Sequence, residues 1–588
     1  MYFCSHKILD MEASTEQRIN TWLNENYDQE TKDEILKLQK ENPQELVEAF
    51  YRNLEFGTGG LRGIMGVGTN RMNKYTVGFA TQGLANYLTG CFRDTKVSVV
   101  ISHDSRLNSR QFAEIAADIL SANKIKVHLF EDLRPTPELS FAVRHLKCNA
   151  GIMITASHNP REYNGYKVYW QDGGQLVPPH DKNVIEEVNK ITSIQQVKWT
   201  GNKRLIHIIG EQVDKAYLKN ILRLSVNPSA VKKAKNLKIV YTPLHGTGIT
   251  MVPKALEMYG FNNIIIEEQQ AIPDGNFPTV KSPNPEEKSA LELALKKADE
   301  VNADLILATD PDADRVGIAV RDTDGTMKLL NGNQTGTLLF HYMLSQLQSK
   351  KKMPDNPFVV KTIVTTDLIS RIAMDFNVAC DDVLTGFKYI AEDILCNEGK
   401  QKFIVGGEES YGYLVGDFVR DKDAVSACCL IAEMAAYYHA FGKPNHKLLI
   451  EILHDIYRSY GFFKEDLLSL TKKGKAGVEE IQQMMADFRS NPPKTLGGQP
   501  VVMMKDYAVS KSYDFTYNTN SIINLPTSNV LQFFTADGSK VTVRPSGTEP
   551  KIKFYFSVVN PIKKRANIAD EEAKLTEKIE QMKKEMVQ

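Results

Sequence analysis

At 588 residues the chain has room for three to five ordinary domains of roughly 150 residues each. Hydrophobic residues at 42% and charged residues at 24% exclude a wholly disordered or fibrous chain. Lys plus Arg and Asp plus Glu are 72 each, so the formal charge is zero. That balance disfavours a nucleic-acid binder held by bulk basicity and leaves a local basic cleft open.

Seven cysteines without a CxxC pair, two of them adjacent at Cys428 and Cys429, read as reduced thiols inside a cell. The longest apolar runs fall short of the roughly 20 residues that span a bilayer. The opening MYFCSHKILDMEAS lacks the apolar core of a secretory leader, whether the start is Met1 or Met11. The expected compartment is the cytoplasm.

In chain order, residues 12–55 are charged and helix-friendly and lead into a glycine-rich stretch, FGTGGLRG (56–63). Three units of strand, helix, strand, helix, strand follow. The first has strands at 96–102, 125–130 and 150–155, with helices at 109–122 and near 137–147. The second has strands at 237–242, 263–268 and 303–309, with helices near 251–259 and at 286–302. The third has strands at 358–364, near 381–385 and at 401–406, with helices at 367–376 and 389–399; its middle strand has the weakest signal. Short β-rich runs alternating with helices predict mostly parallel sheets covered on both faces. Residues 470–500 are polar and read as a linker or surface excursion. Beyond them NVLQFF and KVTVRP flank Asp537-Gly538, a hairpin signal, and are followed by a strand at 551–558 and a charged helix at 568–587. The expected domains are 1–215, 216–330, 331–465, and a linker plus α+β domain over 466–588.

The third strand of each unit runs into a polar loop: TASHNP (155–160), TDPDADR (309–315) and GGEESYG (406–412). Ligands of open α/β sheets gather beyond the carboxyl ends of the strands. The loops therefore either face one shared cleft or are three unrelated turns. Asp310, Asp312 and Asp314 at i, i+2 and i+4 can converge on one hard divalent cation such as Mg²⁺; the alternative is a solvated acidic turn. Ser157 offers an exposed hydroxyl at a strand-to-loop turn, or a capping residue of that turn. Lys167, ten residues on, supplies a cation to the same site or is an ordinary strand-edge lysine. RPSGTEPK (544–551) combines a guanidinium, hydroxyls and a glycine, as a phosphate cradle or a hairpin exit. Glu408, Glu409 and Ser410 can fix sugar hydroxyls, and Lys388 in TGFK adds a cation at another loop. Neither GxGxxG nor GxxxxGK[ST] is present, so nicotinamide and ATP sites have no support. A metal, a hydroxyl, cations and polyol acceptors together suit phosphoryl transfer on a sugar.

TASHNP, DPDADR, GEES and RPSGTEPK, in that order, resemble the α-D-phosphohexomutase superfamily over nearly the whole chain. FGTGGLRG and GGEESYG are most similar to its phosphoglucomutase branch, which includes phosphoglucomutase-2/phosphopentomutase. The resemblance implies three related α/β units with mixed, mostly parallel sheets and a C-terminal α+β domain, four domains around a central cleft. It implies that Ser157 is a phosphoserine that phosphorylates a sugar monophosphate and is rephosphorylated by the sugar bisphosphate. It further implies one Mg²⁺ per chain on Asp310, Asp312, Asp314 and phosphorylated Ser157. His158 and Lys167 would assist catalysis. Arg62, Lys388, Glu408 and Ser410 would contact substrate, and Arg544, Ser546, Gly547 and Thr548 would grip the distal phosphate. The implied reaction interconverts glucose 1-phosphate and glucose 6-phosphate, with glucose 1,6-bisphosphate as intermediate and activator. Phosphopentomutase activity on ribose or deoxyribose 1-phosphate is an extension of it. Glucose-1,6-bisphosphate synthase, phosphomannomutase, a metal-dependent phosphatase and a non-catalytic sugar-phosphate binder are the alternatives. The expected partners are small sugar phosphates, with no nucleic acid and no membrane, on a monomer or weak homo-oligomer whose fourth domain closes over the substrate.

Overall fold

The computed structural model describes residues 13–55, 60–442, 446–472, 474–546, 551–562 and 566–587. Among these, the strands form four sheets. In the first, Ala150–Ile154, Ser98–His103, Lys126–Phe130 and Ile206–Ile209 run parallel, while Tyr163–Trp170 and then Leu61–Ile64 add antiparallel to the edge at Ala150–Ile154. The second has Leu305–Thr309, Ile239–Thr242 and Ile264–Ile266 parallel, with Val316–Arg321 and Met327–Leu330 antiparallel beyond Leu305–Thr309. The third repeats the scheme with Ala379–Val383, Pro357–Thr362 and Lys402–Gly407 parallel and Tyr413–Val415 antiparallel.

The repeat follows from hydrophobic content. Ala150–Ile154 and Leu305–Thr309 are buried at every position, as apolar runs covered by helices on both faces must be. The expected crossover helices form at Ser109–Ala122, Thr136–His145, Val252–Tyr259, Leu368–Asp375 and Phe387–Cys396. The expected helix at 286–302 splits into a 3₁₀ turn, Lys288–Leu291, and a helix, Glu292–Val301. In all three units the chain leaves the edge strand of the parallel set and returns antiparallel beside it. The connecting loops are the three polar motifs.

The fourth sheet is antiparallel throughout, from Phe462–Thr471 through Lys551–Asn560, Lys540–Pro545, Leu531–Thr535 and Gln499–Asp506 to Lys511–Asp514 and Thr519–Ile522. The hairpin at Asp537-Gly538 is present, with Gly538 at φ 86°. Residues 470–500 are not a linker. They contain the helix Gly474–Ser490, whose Ile481 and Met485 are buried in the core, and the short strand Thr495–Leu496. The division expected at 465/466 falls inside Phe462–Thr471, which lies wholly in the fourth sheet, and that at 215/216 falls inside the helix Glu211–Leu222. The helix Ala424–Phe441 has 18 residues and is apolar enough to cross a membrane by length and composition, contrary to the sequence reading. It is 67% buried, against Pro228–Lys233 and Val252–Tyr259 among others.

The fourth unit docks on the third through Ile363, Val364, Leu384, Tyr507, Val530 and Tyr555. Beside this apolar cluster Lys540 Nζ pairs with Asp367 at 2.9 Å, and Gln532 Nε2 donates to the Ile363 carbonyl at 2.9 Å.

Candidate active site

The loops after Ala150–Ile154, Leu305–Thr309 and Lys402–Gly407 converge on one cleft of about 1030 Å³, which the fourth unit also lines. Each loop turns through one non-glycine residue in the left-handed region: Ser157 (φ 52°), Ala313 (φ 50°) and Tyr411 (φ 64°). Such residues cost about 1–3 kcal/mol and persist only where the surroundings fix them. Here Ser157 N–H donates to Thr155 Oγ1 at 2.8 Å, Ala313 N–H to the Asp310 carbonyl at 2.9 Å, and Val316 N–H to the Tyr411 carbonyl at 3.0 Å. Two glycines let neighbouring backbone press against the loops. A Cβ on Gly246 would lie 2.4 Å from Pro311 Cα, and one on Gly332 1.9 Å from the Glu409 carbonyl.

The Ser157 hydroxyl donates to Asp310 Oδ2 at 2.6 Å, across the first and second units, and lies 3.2 Å from His158 Nδ1. Arg106 clamps the loop from below, donating to the carbonyls of Ser157 (2.6 Å), Pro160 (2.9 Å) and Tyr163 (3.0 Å), and to that of Asn159. Its Nε is 3.3 Å from Asp104 Oδ2, a pair fully hidden from solvent. Arg62 reaches Asn159 Oδ1 at 3.3 Å. Burial, reinforced by the Arg315 and Arg62 cations, pushes His158 well below the usual imidazole range, so the ring is neutral.

In the DPDADR loop Asp310 Oδ1 accepts the N–H groups of Asp314 (3.1 Å) and Arg315 (3.0 Å). Asp312 Oδ2 accepts from Lys167 Nζ and from Thr136 Oγ1, both at 2.8 Å. Asp314 Oδ2 lies 3.3 Å from Lys167 Nζ and 3.1 Å from Lys422 Nζ. Burial and the neighbouring Asp312 and Asp314 push Asp310 well above the usual carboxylate range. Burial acts the same way on Asp314, but the Lys422, Lys167 and Arg315 cations outweigh it and hold that carboxyl low. Asp312 Oδ1 and Asp314 Oδ1 remain buried without a hydrogen-bond partner, and donor oxygens of the three aspartates lie within 4.8 Å of one another. Buried carboxylate oxygens that accept no hydrogen bond, gathered this closely, are the donor set a hard divalent cation takes.

Lys422 ties the third unit to this floor and also contacts Asp421 at 3.0 Å, where Asp421 accepts from Tyr169 OH (2.7 Å) and Gln175 Nε2 (2.8 Å). In the third loop, Glu408 Oε1 accepts Gly386 N–H at 2.9 Å, and Glu409 accepts the hydroxyls of Thr362 and Thr365, each at 3.2 Å. Burial pushes the Glu408 carboxyl up to about 7, against the pull of Lys422. Ser410, Lys388, Arg544 and Ser546 line the same cleft, with Lys388 Nζ 3.7 Å from Asp181. Gly547 and Thr548, together with residues 56–59 of the glycine-rich stretch, lie outside the described residues.

Every described candidate from the sequence thus lines the cleft or lies in the carboxylate floor beneath it. Sequence reasoning passed over Lys422, Arg106 and Thr136. The first stands in a charged run, RDKD, just before an apolar helix; the other two stand in strand-to-helix turns of the first unit, SHDSR and RPTPE.

Residues 53–195, 215–325 and 331–460 match phosphoglucomutase/phosphomannomutase alpha/beta/alpha domains I, II and III, and residues 470–575 match the C-terminal domain. The chain belongs to this family. A phosphoglucomutase of Staphylococcus epidermidis is 40% identical over 519 residues, 88% of this chain and 92% of that protein. A phosphoglucomutase of Staphylococcus aureus is 40% identical over 517 residues, 87% and 91% of the two. Among solved structures, the open form of parafusin, a phosphoglucomutase from Paramecium, matches with a TM-score of 0.67 at 17% identity, covering 90% of this chain and 94% of that one. A phosphoglucomutase/phosphomannomutase family protein from Burkholderia thailandensis matches with a TM-score of 0.61 at 16% identity, covering 90% and 97%. These two likenesses establish the shared fold. Family membership implies a metal ion, and the aspartate triad is the donor set among the described residues that fits one.

Proposed function

We propose that this chain is a phosphoglucomutase that interconverts glucose 1-phosphate and glucose 6-phosphate through a phosphoserine at Ser157 and a glucose 1,6-bisphosphate intermediate. The observation that carries the reading is the Ser157 hydroxyl, 2.6 Å from Asp310 across two units, on the floor of a cleft lined with both cations and sugar-binding acceptors.

Phosphoryl transfer asks for positioning and neutralised oxygen charge rather than elaborate covalent chemistry. Ser157 is positioned twice, by the Arg106 clamp on its carbonyl and by the Thr155 hydroxyl on its N–H. Phosphorylated Ser157 gives its phosphoryl group to the free hydroxyl of the bound sugar monophosphate. The bisphosphate turns over in the cleft and returns the other phosphoryl group to Ser157, so phosphate is conserved. Neutral His158, 3.2 Å from the Ser157 hydroxyl, would exchange protons with the reacting oxygens, and the Lys167 cation would offset their charge. Asp310, Asp312, Asp314 and Ser157 would hold one Mg²⁺, which supplies electrostatic neutralisation of the transferring group. Glu408 and Ser410 bind sugar hydroxyls, with Arg62 and Lys388 as further substrate contacts. Arg544 and Ser546, with Gly547 and Thr548 of the same motif, take the phosphate that is not reacting. A clamp that reads phosphate rather than sugar accepts either end, as the turnover requires. The expected setting is the cytoplasm, as a monomer or weak homo-oligomer.

A coupled assay on glucose 1-phosphate with catalytic glucose 1,6-bisphosphate tests the reading, with ribose 1-phosphate in parallel to measure pentose activity. Intact mass after exposure to the bisphosphate should show one added phosphoryl group, absent in Ser157→Ala, which should also be inactive. No turnover of either sugar, or a labelled Ser157→Ala, rejects the proposal.

A further inference from the structure

We propose that Thr136 is a positioning residue for the metal loop: its hydroxyl decides which oxygen of Asp312 is offered to the cation. Thr136 opens the helix Thr136–His145 and is fully buried. The first N–H groups of a helix have no partner within it. That of Thr136 donates across the unit boundary to the Asp312 carbonyl at 2.8 Å, and the hydroxyl of the same residue donates to Asp312 Oδ2 at 2.8 Å. One residue of the first unit therefore grips Asp312 of the second by backbone and side chain together.

Lys167 cannot do this alone. Its ammonium engages the same Asp312 Oδ2 at 2.8 Å but also reaches Asp314 Oδ2 at 3.3 Å, so its hold is divided between two carboxylates. The Thr136 hydroxyl, by contrast, has Asp312 Oδ2 as its partner. With Oδ2 occupied by two donors, Oδ1 is left buried and unpartnered toward the carboxylate cluster. The turn that carries Thr136 is itself anchored. Arg134, two residues earlier, forms a bidentate pair with Asp214, at 3.0 Å from Nε to Oδ1 and 3.0 Å from Nη2 to Oδ2.

The inference rests on the 310–314 loop being the metal site, so the experiment measures metal directly. Mn²⁺ binding to the purified full chain, without sugar and in one defined phosphorylation state, is followed by electron paramagnetic resonance. Partners that orient a metal ligand are worth about 10–100-fold in affinity. Thr136→Val and Thr136→Ala should each weaken Mn²⁺ by that factor, while Thr136→Ser stays close to wild type. The backbone N–H survives all three changes, so unit docking should hold; the metal-free melting temperature should drop by a few degrees in the Val and Ala variants, which lose a buried hydrogen bond, and hold in Thr136→Ser. In turnover the Mg²⁺ concentration for half-activation should rise, with kcat at saturating Mg²⁺ little changed. Val and Ala variants that bind Mn²⁺ like wild type overturn the role of Thr136 and leave the proposed function standing. Asp312→Asn and Asp314→Asn variants that bind Mn²⁺ as wild type does overturn the metal assignment and this inference with it.

Discussion

At the floor of the cleft Ser157, Asp310, Asp312 and Asp314 are each no more than 3% exposed and are held by partners from other units. Where the fourth unit walls the same cleft, Arg544, Ser546, Lys551 and Lys553 are only half-buried, at the ends of two neighbouring strands of the fourth sheet. The contrast matches the work each end has to do. Groups that stabilise charge as it develops are effective when they need no reorganisation during reaction, which calls for buried, crosslinked donors. Under the proposed function this wall would take up the phosphate of one sugar position, release it and take up the other, for which partly hydrated cations on flexible stems are suited.

The largest effect should come from breaking the floor. Asp314→Asn removes a carboxylate that balances two buried ammonium groups, Lys167 and Lys422, and whose Oδ1 is buried without a hydrogen bond. By analogy with the loss of one preorganised charge partner, kcat should fall about 10²–10³-fold, or ~3–4 kcal/mol. Initial rates at saturating sugar phosphate and Mg²⁺ check this, with a thermal melt to exclude unfolding. A fall below tenfold would mean that the floor is not preorganised in the sense drawn here.

Breaking the wall should do something different in kind. Arg544→Ala deletes a guanidinium from a half-hydrated site, and a charge-assisted hydrogen bond is worth about 1.5–3 kcal/mol. KM should rise about 10–100-fold, since each 1.4 kcal/mol is tenfold, while kcat moves less. Arg544→Lys should recover part of the loss, because the charge survives and the bidentate fork does not. Loss confined to kcat would place Arg544 with the chemistry and erase the distinction between the two ends.

The floor was also the more legible end. Ser157 and the three aspartates stand in polar loops directly behind fully buried strands, so apolar run and motif announce each other. The three parallel units were legible for the same reason, down to the weak strand now seen at Ala379–Val383. What stayed hidden acts across units from segments with no pattern of their own. Lys422 reaches Asp314 from the third unit, and Thr136 reaches Asp312 from the first; one sequence read along its length does not show which turns will meet. The helix Gly474–Ser490 was missed because the polar flanks KKGKAG and SNPPKTLGGQP outweighed its short apolar stripe of Ile481, Met484, Met485 and Phe488, which packs on the core. The division expected at 465/466 lies a few residues inside Phe462–Thr471, because this strand leaves the third unit's helix Leu449–Tyr460 after a single residue, Gly461, without a composition change to mark it.

Glu408 stands between the two ends, and its substitution should produce the smallest effect and the one most dependent on pH. Burial pushes its carboxyl up to about 7 from an ordinary 4.5, with Glu409 adding to the rise and Lys422 and Arg315 opposing it. In the unfolded chain the group ionises near its ordinary value. Between about 4.5 and 7 the native state therefore keeps a proton that the unfolded state has lost. Native stability must then fall as pH rises across that window, and level off above it. Glu408→Gln has no proton to keep, so its melting temperature should gain on wild type by a few degrees more at pH 8 than at pH 5, measured by calorimetry on metal-free protein. Wild type should show an inflection near pH 7 in kcat/KM that this variant lacks. If the melting difference is the same at both pH values, Glu408 is ionised in the native state. Its carboxylate then belongs with the hydrated wall rather than with the buried floor.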